Sequence, residues 1–387
     1  KNEGKRNLTS YLIGAINQQI SRGEGLIKRI PPNLSREFHL LAQSCQDRLL
    51  GANENLRQLL TEPRFQIERN QPERLRMFHR LVGEMVHLET VGIAALERAN
   101  SSDEILNKLV EKIRQEIKYP LLPPVVTSLS QEYFHIFPDL NLLCVPLAES
   151  DYLLHLPDIY HELAHPLATT KRDPRIRPFQ VSLGVVIRTA IEYVNERHNN
   201  ERPKRGPNDL KDIWLVWEKC WLQWSVEFFC DLFGIYTLGP AYIWAHINLC
   251  AKYGGRPFDV PHYLPNSHPA DDARFRVMVI ALENLGFSQE AKSAAKEWKN
   301  LLKLTSSTPT PEYHKCYPDS LISHIATQAK LGIVALGCRI ASPSTNDFVH
   351  TLFNEAWNNF WKDPCNYNDW ETNAISSLKA HLSSNTK

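Results

Sequence analysis

One sign of charge is missing as a surplus: 44 Lys and Arg face 43 Asp and Glu, for a net charge of +1. That balance argues against a dominant nucleic-acid or anionic-membrane role and leaves room only for a local basic patch. No apolar run approaches the roughly 18 residues that a membrane-crossing helix requires, so no span is expected. Near the start, Lys1, Lys5 and Arg6 precede Tyr11, Leu12, Ile13, Gly14, Ala15 and Ile16. This apolar stretch is too short for a signal peptide. The first residue is Lys1 rather than Met, which leaves the native start open. Among the eight cysteines, Cys45, Cys144, Cys220, Cys230, Cys250, Cys316, Cys338 and Cys365, no Cys-x-x-Cys pair occurs. Most lie beside apolar residues, as buried free thiols of a reducing compartment do. A soluble cytoplasmic protein is the expectation. A chain of 387 residues can bury a substantial core in two or three domains, or in one large helical body.

The run Asp158, Ile159, Tyr160, His161, Glu162, Leu163, Ala164, His165, Pro166 contains His-Glu-x-x-His. Two histidines four apart project from one helix face, so His161 and His165 can converge on a single Zn²⁺. Glu162, between them, can then take a proton from bound water. Pro166 ends or kinks a helix only after both ligands are in place. With 15 histidines in the chain, chance produces such a string in about one similar chain in thirty, so a third ligand is needed to support it. Glu227 and Asp231 lie four apart in an aromatic segment from Trp221 to Gly234. Carboxylates there are costly unless paired or metal-bound. Glu227 as third ligand, with Asp231 accepting a histidine N–H, resolves both costs. Glu218 is a rival third ligand, but only Glu227 is followed by an acid four residues on. Cys230 is assigned to core packing off the Glu227 face.

These strings resemble the gluzincin metallopeptidases, in which His-Glu-x-x-His is followed by a distant Glu-x-x-x-Asp. A third string, His268-Pro269 with Arg274 five residues further on, is similar to the His-Pro-x-x-x-x-Arg of the CAAX-prenyl-peptidase family and its soluble relatives. The likeness covers about 130 residues, from near Leu143 to near Arg276. It departs from thermolysin-like enzymes in the long interval between His165 and Glu227, and from the prenyl peptidases in having no membrane-spanning run. The resemblance implies a zincin-like core and peptide-bond hydrolysis. His268 is a candidate donor to the oxyanion, with Tyr242 and Tyr263 as weaker candidates. Arg274 is expected either to hold Asp231 or Glu227 or to bind a substrate carboxylate.

Elsewhere helical patterns dominate. Residues 8–117 read as about four helices, with breaks near Gly23 and Gly25, at Pro31-Pro32, near Pro72, and at Ser101-Ser102-Asp103, where helix-capping residues cluster. Leu75, Met77, Phe78, Leu81, Val82, Met85 and Val86 form a core-facing stripe. His39, His79 and His87 are ordinary histidines. Pro120, Pro123 and Pro124 then break helicity, and residues 140–146 read as a strand, either an edge on which a substrate peptide can pair or a buried connector. His155 falls about 120° off the ligand face and is structural, as is Tyr160. A helix over 178–197 precedes an exposed basic loop over 199–208. Residues 286–387 are helical, with a break at 306–311 and an apolar face from Phe348 to Trp361.

The fold class is therefore mainly α (α+β): a helical N-terminal domain over 1–117, a zincin-like core over 118–285 with a small sheet beside the His-Glu-x-x-His helix, and a helical C-terminal region over 286–387. The expected function is zinc-dependent hydrolysis of an unknown intracellular peptide or protein substrate, with Glu162 as general base. The N-terminal helices offer a surface for a regulatory partner. The alternative is a catalytically inactive peptidase fold that binds peptides or partners; a third reading takes the chain as a helical regulatory protein with an accidental motif.

Overall fold

The computed structural model describes residues 8–130, 133–171, 173–201, 213–255 and 257–384. The protein is mainly α with a small β component. Fifteen α-helices occur among the described residues, with three short strands between the fifth and the sixth. No helix among them is long and apolar enough to cross a membrane.

The chain divides into two compact units: Lys1–Asn107 with Pro124–Tyr133 and Asp139–Pro146, and Lys108–Pro123 with Phe134–Pro138 and Leu147–Lys387. Residues 286–387 thus belong to the same unit as residues 147–285. In the first unit, α1 (Leu8–Arg29) packs along α2 (His39–Thr61), and α3 (Gln71–His87) packs on α2. Gly23 and Gly25 do not interrupt α1, contrary to the sequence expectation. A glycine inside a helix costs only about 1 kcal/mol, and a Cβ at Gly23 would fall 2.2 Å from Oδ1 of buried Asn53, so the glycine is what lets α2 come close. The break falls instead at Pro31-Pro32, as expected.

The core stripe of α3 also differs from the sequence pattern. Leu81 and Met85 are buried, but Leu75 and Val86 are exposed and Arg74 is fully buried. A π-helical turn, Leu88–Ile93, follows and leads into α4 (Ala94–Arg98). The cap of α5 (Ser101–Ile117) is Asn100, one residue before the expected cluster. The backbone N–H of Asn100 donates to Asp103 Oδ2 at 3.1 Å, and that of Asp103 to Asn100 Oδ1 at 3.2 Å, a reciprocal cap. Strands β1 (Val125–Thr127) and β3 (Leu142–Cys144) pair in parallel, with Val126 opposite Leu143. Every residue of both is buried, so 140–146 is an inner connector rather than a substrate edge.

The second unit is organised around α8 (Ile213–Leu238), whose last twelve residues are all buried, along with Trp214, Trp217, Trp221 and Trp224. The second half of α8 thus has no solvent face and forms the centre of the unit, while the first half exposes Leu215, Lys219, Leu222 and Gln223 on one side. Against it pack α6 (Asp158–Thr169), α7 (Arg177–Glu201), α9 (Pro240–Tyr253), α10 (Asp271–Asn284) and α13 (Asp319–Ala335). α11 (Ser288–Leu304) lies on α9 and α10, and the short α12 (Pro311–Cys316) follows the expected break. α14 (Phe348–Lys362) turns Val349, Phe353, Ala356 and Trp357 inward and packs on α9 and on α15 (Tyr367–Ser384). Of the expected basic loop, residues 199–201 are the end of α7 and 202–208 lie outside the described residues. The third strand, β2 (His135–Phe137), lies against α6.

Candidate metal centre

α6 begins with Asp158 in its first turn, where a carboxylate complements the helix dipole. It runs three residues past Pro166. That proline removes the N–H that would have bonded the carbonyl of residue 162 and crowds that carbonyl, yet the helix continues for this last turn. His161 and His165 share a face, with ring centroids 5.0 Å apart. α8 brings Glu227 to them: Oε2 lies 3.3 Å from His161 Nε2, and Oε1 lies 3.9 Å from His165 Nε2. Glu218 sits nine residues earlier on the same helix, about 13 Å along its axis, and cannot reach the pair.

Asp231, one turn beyond Glu227 and fully buried, is held by three partners. Arg274 on α10 donates from Nε at 2.7 Å and from Nη2 at 2.6 Å. The Tyr242 hydroxyl on α9 donates at 2.7 Å, and His161 Nδ1 lies 3.0 Å away. The carboxylate fixes the His161 tautomer with its proton on Nδ1, leaving Nε2 aimed at Glu227. Tyr242 is thus committed to Asp231, and its expected part as an oxyanion donor is not the one the geometry assigns. Of the two roles left open for Arg274, the observed one is the grip on Asp231.

His268 comes from a loop tied down on α8 by two indoles: Trp217 Nε1 donates to Pro261 O at 3.1 Å and Trp224 Nε1 to Asn266 Oδ1 at 3.0 Å. Its side chain is 64% exposed, with Nε2 3.7 Å from Glu227 Oε2, so it forms the solvent rim of the cluster. Tyr263 is exposed in the same loop. His155 pairs with Glu149 at 3.1 Å, and Tyr160 packs edge-on against Phe353, both structural as expected. Glu162 is buried and accepts a backbone hydrogen bond from Ile136 of β2. The extended segment beside the His-Glu-x-x-His helix is therefore 135–137.

The buried charges of the cluster shift one another strongly. Burial pushes the Glu162 carboxyl up, to about 7, against the opposing charge of His161. For Glu227 burial also pushes upward, but His161, His165 and Arg274 outweigh it and bring the carboxyl down to about 2. Burial pulls His161 down, yet hydrogen bonds and charge from Asp231 and Glu227 carry it up to about 10. Burial and the neighbouring His161 take His165 down to about 4. Asp231 stays well below the ordinary carboxylate range despite its burial, because Arg274 and His161 face it.

The donor set fits a tetrahedral divalent ion. Glu227 Oε2 is buried with no donor in hydrogen-bond geometry, although His161 Nε2 is 3.3 Å away. That separation equals the edge of about 3.3 Å between nitrogen and oxygen ligands at tetrahedral zinc distances. His161, His165 and Glu227 could therefore hold a divalent ion between them.

Cys230, read from the sequence as core packing off the Glu227 face, is buried and lies nearer the ligand face than that reading placed it. Three residues on a helix turn about 300°, only 60° from Glu227, so the thiol flanks the ligand face. Ligand atoms of His161, His165 and Cys230 all lie within 4.8 Å of one another. The thiol is fully buried, and burial with the nearby Glu227, Asp231 and Glu162 carboxylates holds its pKa well above the usual range. Either Glu227 or Cys230 could complete a ligand set with the two histidines; the Glu227 carboxyl is already held low, whereas the thiol would first have to lose its proton.

No family model matches the chain, and neither a curated protein nor a solved structure matches it.

Proposed function

We propose that this chain is a zinc-dependent peptidase of gluzincin type. The observation that carries the proposal is the approach of the buried Glu227 carboxylate to within 3.3 and 3.9 Å of the two imidazoles of His-Glu-x-x-His. His161, His165 and Glu227 would hold the ion; when bound, Zn²⁺ supplies Lewis-acid polarisation of a carbonyl and a water of lowered pKa.

The remaining chemistry belongs to the chain's own residues. Glu162 takes the proton of the attacking water as the new C–O bond forms, and delivers it to the departing amine as the amide C–N bond then breaks. Its carboxyl, raised to about 7 by burial, is matched to proton transfer near neutrality. His268, at the exposed rim, donates to the oxygen that gains charge. Asp231, Arg274 and Tyr242 keep His161 in the ligating tautomer. The substrate class is an intracellular peptide or protein, and a partner engaging the N-terminal helices would restrain the enzyme.

The test is Glu162→Gln against wild type, purified without chelator, followed by metal analysis and by mass spectrometry of new termini in a peptide library. Metal content should be unchanged, and turnover should drop about 10²–10⁴-fold, the share a general base supplies. A fully active Glu162→Gln protein, or wild type with no bound metal, would overturn the proposal. Stoichiometric metal without turnover of any peptide would instead mark a peptide-binding protein on a peptidase frame.

A further inference from the structure

A second cluster of ligating side chains lies elsewhere in the same unit, and nothing in the proposed hydrolysis uses it. His246 and Cys250 are four apart on α9, on one face and both buried. Asp271, the first residue of α10, is only partly buried and closes the group. One ligand atom from each of the three lies within 4.8 Å of the other two.

We propose that His246, Cys250 and Asp271 form a second metal site, distinct from the His-Glu-x-x-His cluster, that takes a zinc-class divalent ion. The separations carry it. Cys250 Sγ is 3.7 Å from His246 Nε2, and a tetrahedral ion with ordinary Zn–S and Zn–N bonds sets that edge at about 3.6 Å. The carboxylate is seated with equal closeness: a Cβ on Gly255 would fall 2.2 Å from Asp271 Oδ2, so it rests directly on the backbone at the end of α9. Both Gly254 and Gly255 donate their N–H to the Cys250 carbonyl, which fixes the thiol's helix terminus beneath that carboxylate. One sulfur, one imidazole and one carboxylate select zinc-like ions over Mg²⁺ and Ca²⁺, which take oxygen ligands. The partly exposed side at Asp271 leaves the fourth position to water. Binding requires the Cys250 thiol to lose its proton to solvent, so occupancy falls with acidification.

The site would also tie α9 to α10. Arg274, one turn beyond Asp271 on α10, is the residue that grips Asp231. A metal on Asp271 therefore steadies the helix that positions the His161 support.

The experiment loads the full chain with Co²⁺ and reads two quantities, cobalt equivalents per chain and the near-ultraviolet thiolate-to-cobalt charge-transfer band. Wild type should bind two equivalents and show the band. His161→Ala/His165→Ala should lose one equivalent and keep the band, which separates this proposal from the fate of the peptidase reading. Cys250→Ser should lose the other equivalent and the band, while Cys230→Ala should keep both. Should Cys250→Ser fail to give a folded far-ultraviolet dichroism spectrum, Asp271→Asn serves, with the expectation that affinity for the second equivalent falls at least tenfold. A wild-type chain holding one equivalent that vanishes in the double histidine variant would leave His246, Cys250 and Asp271 as a hydrogen-bonded trio only and overturn the proposal. So would a band that survives Cys250→Ser or disappears in Cys230→Ala.

Discussion

Replacing Asp231 by Asn is the sharpest probe of how the first cluster is built. The carboxylate is 0% exposed and accepts from Arg274 twice, from Tyr242, and from His161 Nδ1. Asn keeps the shape but not the charge, and its amide NH₂ faces donors. Arg274, itself only 11% exposed, is left without its counter-charge. Removing one partner of a buried ion pair costs about 3–5 kcal/mol. The His161 ring also loses the acceptor that sets its tautomer, and disrupting such support lowers metal affinity about 10–100-fold, or about 1.4–2.7 kcal/mol. Urea denaturation of chelated protein measures the first quantity, and competition with a chromophoric chelator measures the second. A cycle with Arg274→Met isolates the pair: the double variant should lose less than the sum of the singles by about 0.5–3 kcal/mol. Additivity within about 0.5 kcal/mol, together with unchanged metal affinity, would refute the account of Asp231 as the anchor of both the fold and the ligand.

Four further outcomes are expected. Because Asp231 and Glu227 carry His161 up to about 10 despite its burial, an ion must displace a proton from it throughout neutral pH. Chelator competition should therefore show metal affinity still rising about tenfold per pH unit between about 7 and 9, whereas an ordinary imidazole, with pKa near 6.5, would flatten there. With the sign worked through, the same raised value makes the His161 contribution to metal-free stability complete below about 6.5 and lost as pH climbs through about 10, which denaturation across that range checks. Cys230→Ala should keep its metal at the first cluster by elemental analysis, at a stability cost of about 0.5–3 kcal/mol; loss of metal would promote the thiol to ligand. Gly23→Ala places a methyl against Asn53 and should cost about 1–3 kcal/mol in thermal or urea unfolding, with no effect on metal content.

Local spacing made much of the cluster legible. His161 and His165 share a face because they are four apart, and Glu227 and Asp231 stood out because charge in so aromatic a segment demands a partner. The break of α11 before Pro311 and the mainly α class followed equally from short-range pattern. What did not follow were relations made only by tertiary packing. Tyr242 reaches Asp231 because α8 ends at Leu238 and Gly239, with φ of 82°, reverses the chain into α9. Nothing in the residues around Tyr242 announces that hydroxyl's partner. The strand beside α6 is 135–137 rather than 140–146, since strands this short carry too few residues for period-two alternation to identify a face. Arg74 reads as a polar residue on an amphipathic helix, yet it is buried in place of Leu75, two side chains about 100° apart around the same helix.

The helix that carries Glu227 and Asp231 is also the one lined with Trp217, Trp221 and Trp224, and the last two pack into the aromatic cluster that includes Phe228 and Tyr317. Trp224 lies less than one turn from Glu227, and its indole is bonded to the loop that bears His268. The protein therefore carries its own optical reporter: filling or emptying the ligand set should register in tryptophan emission, without any added dye.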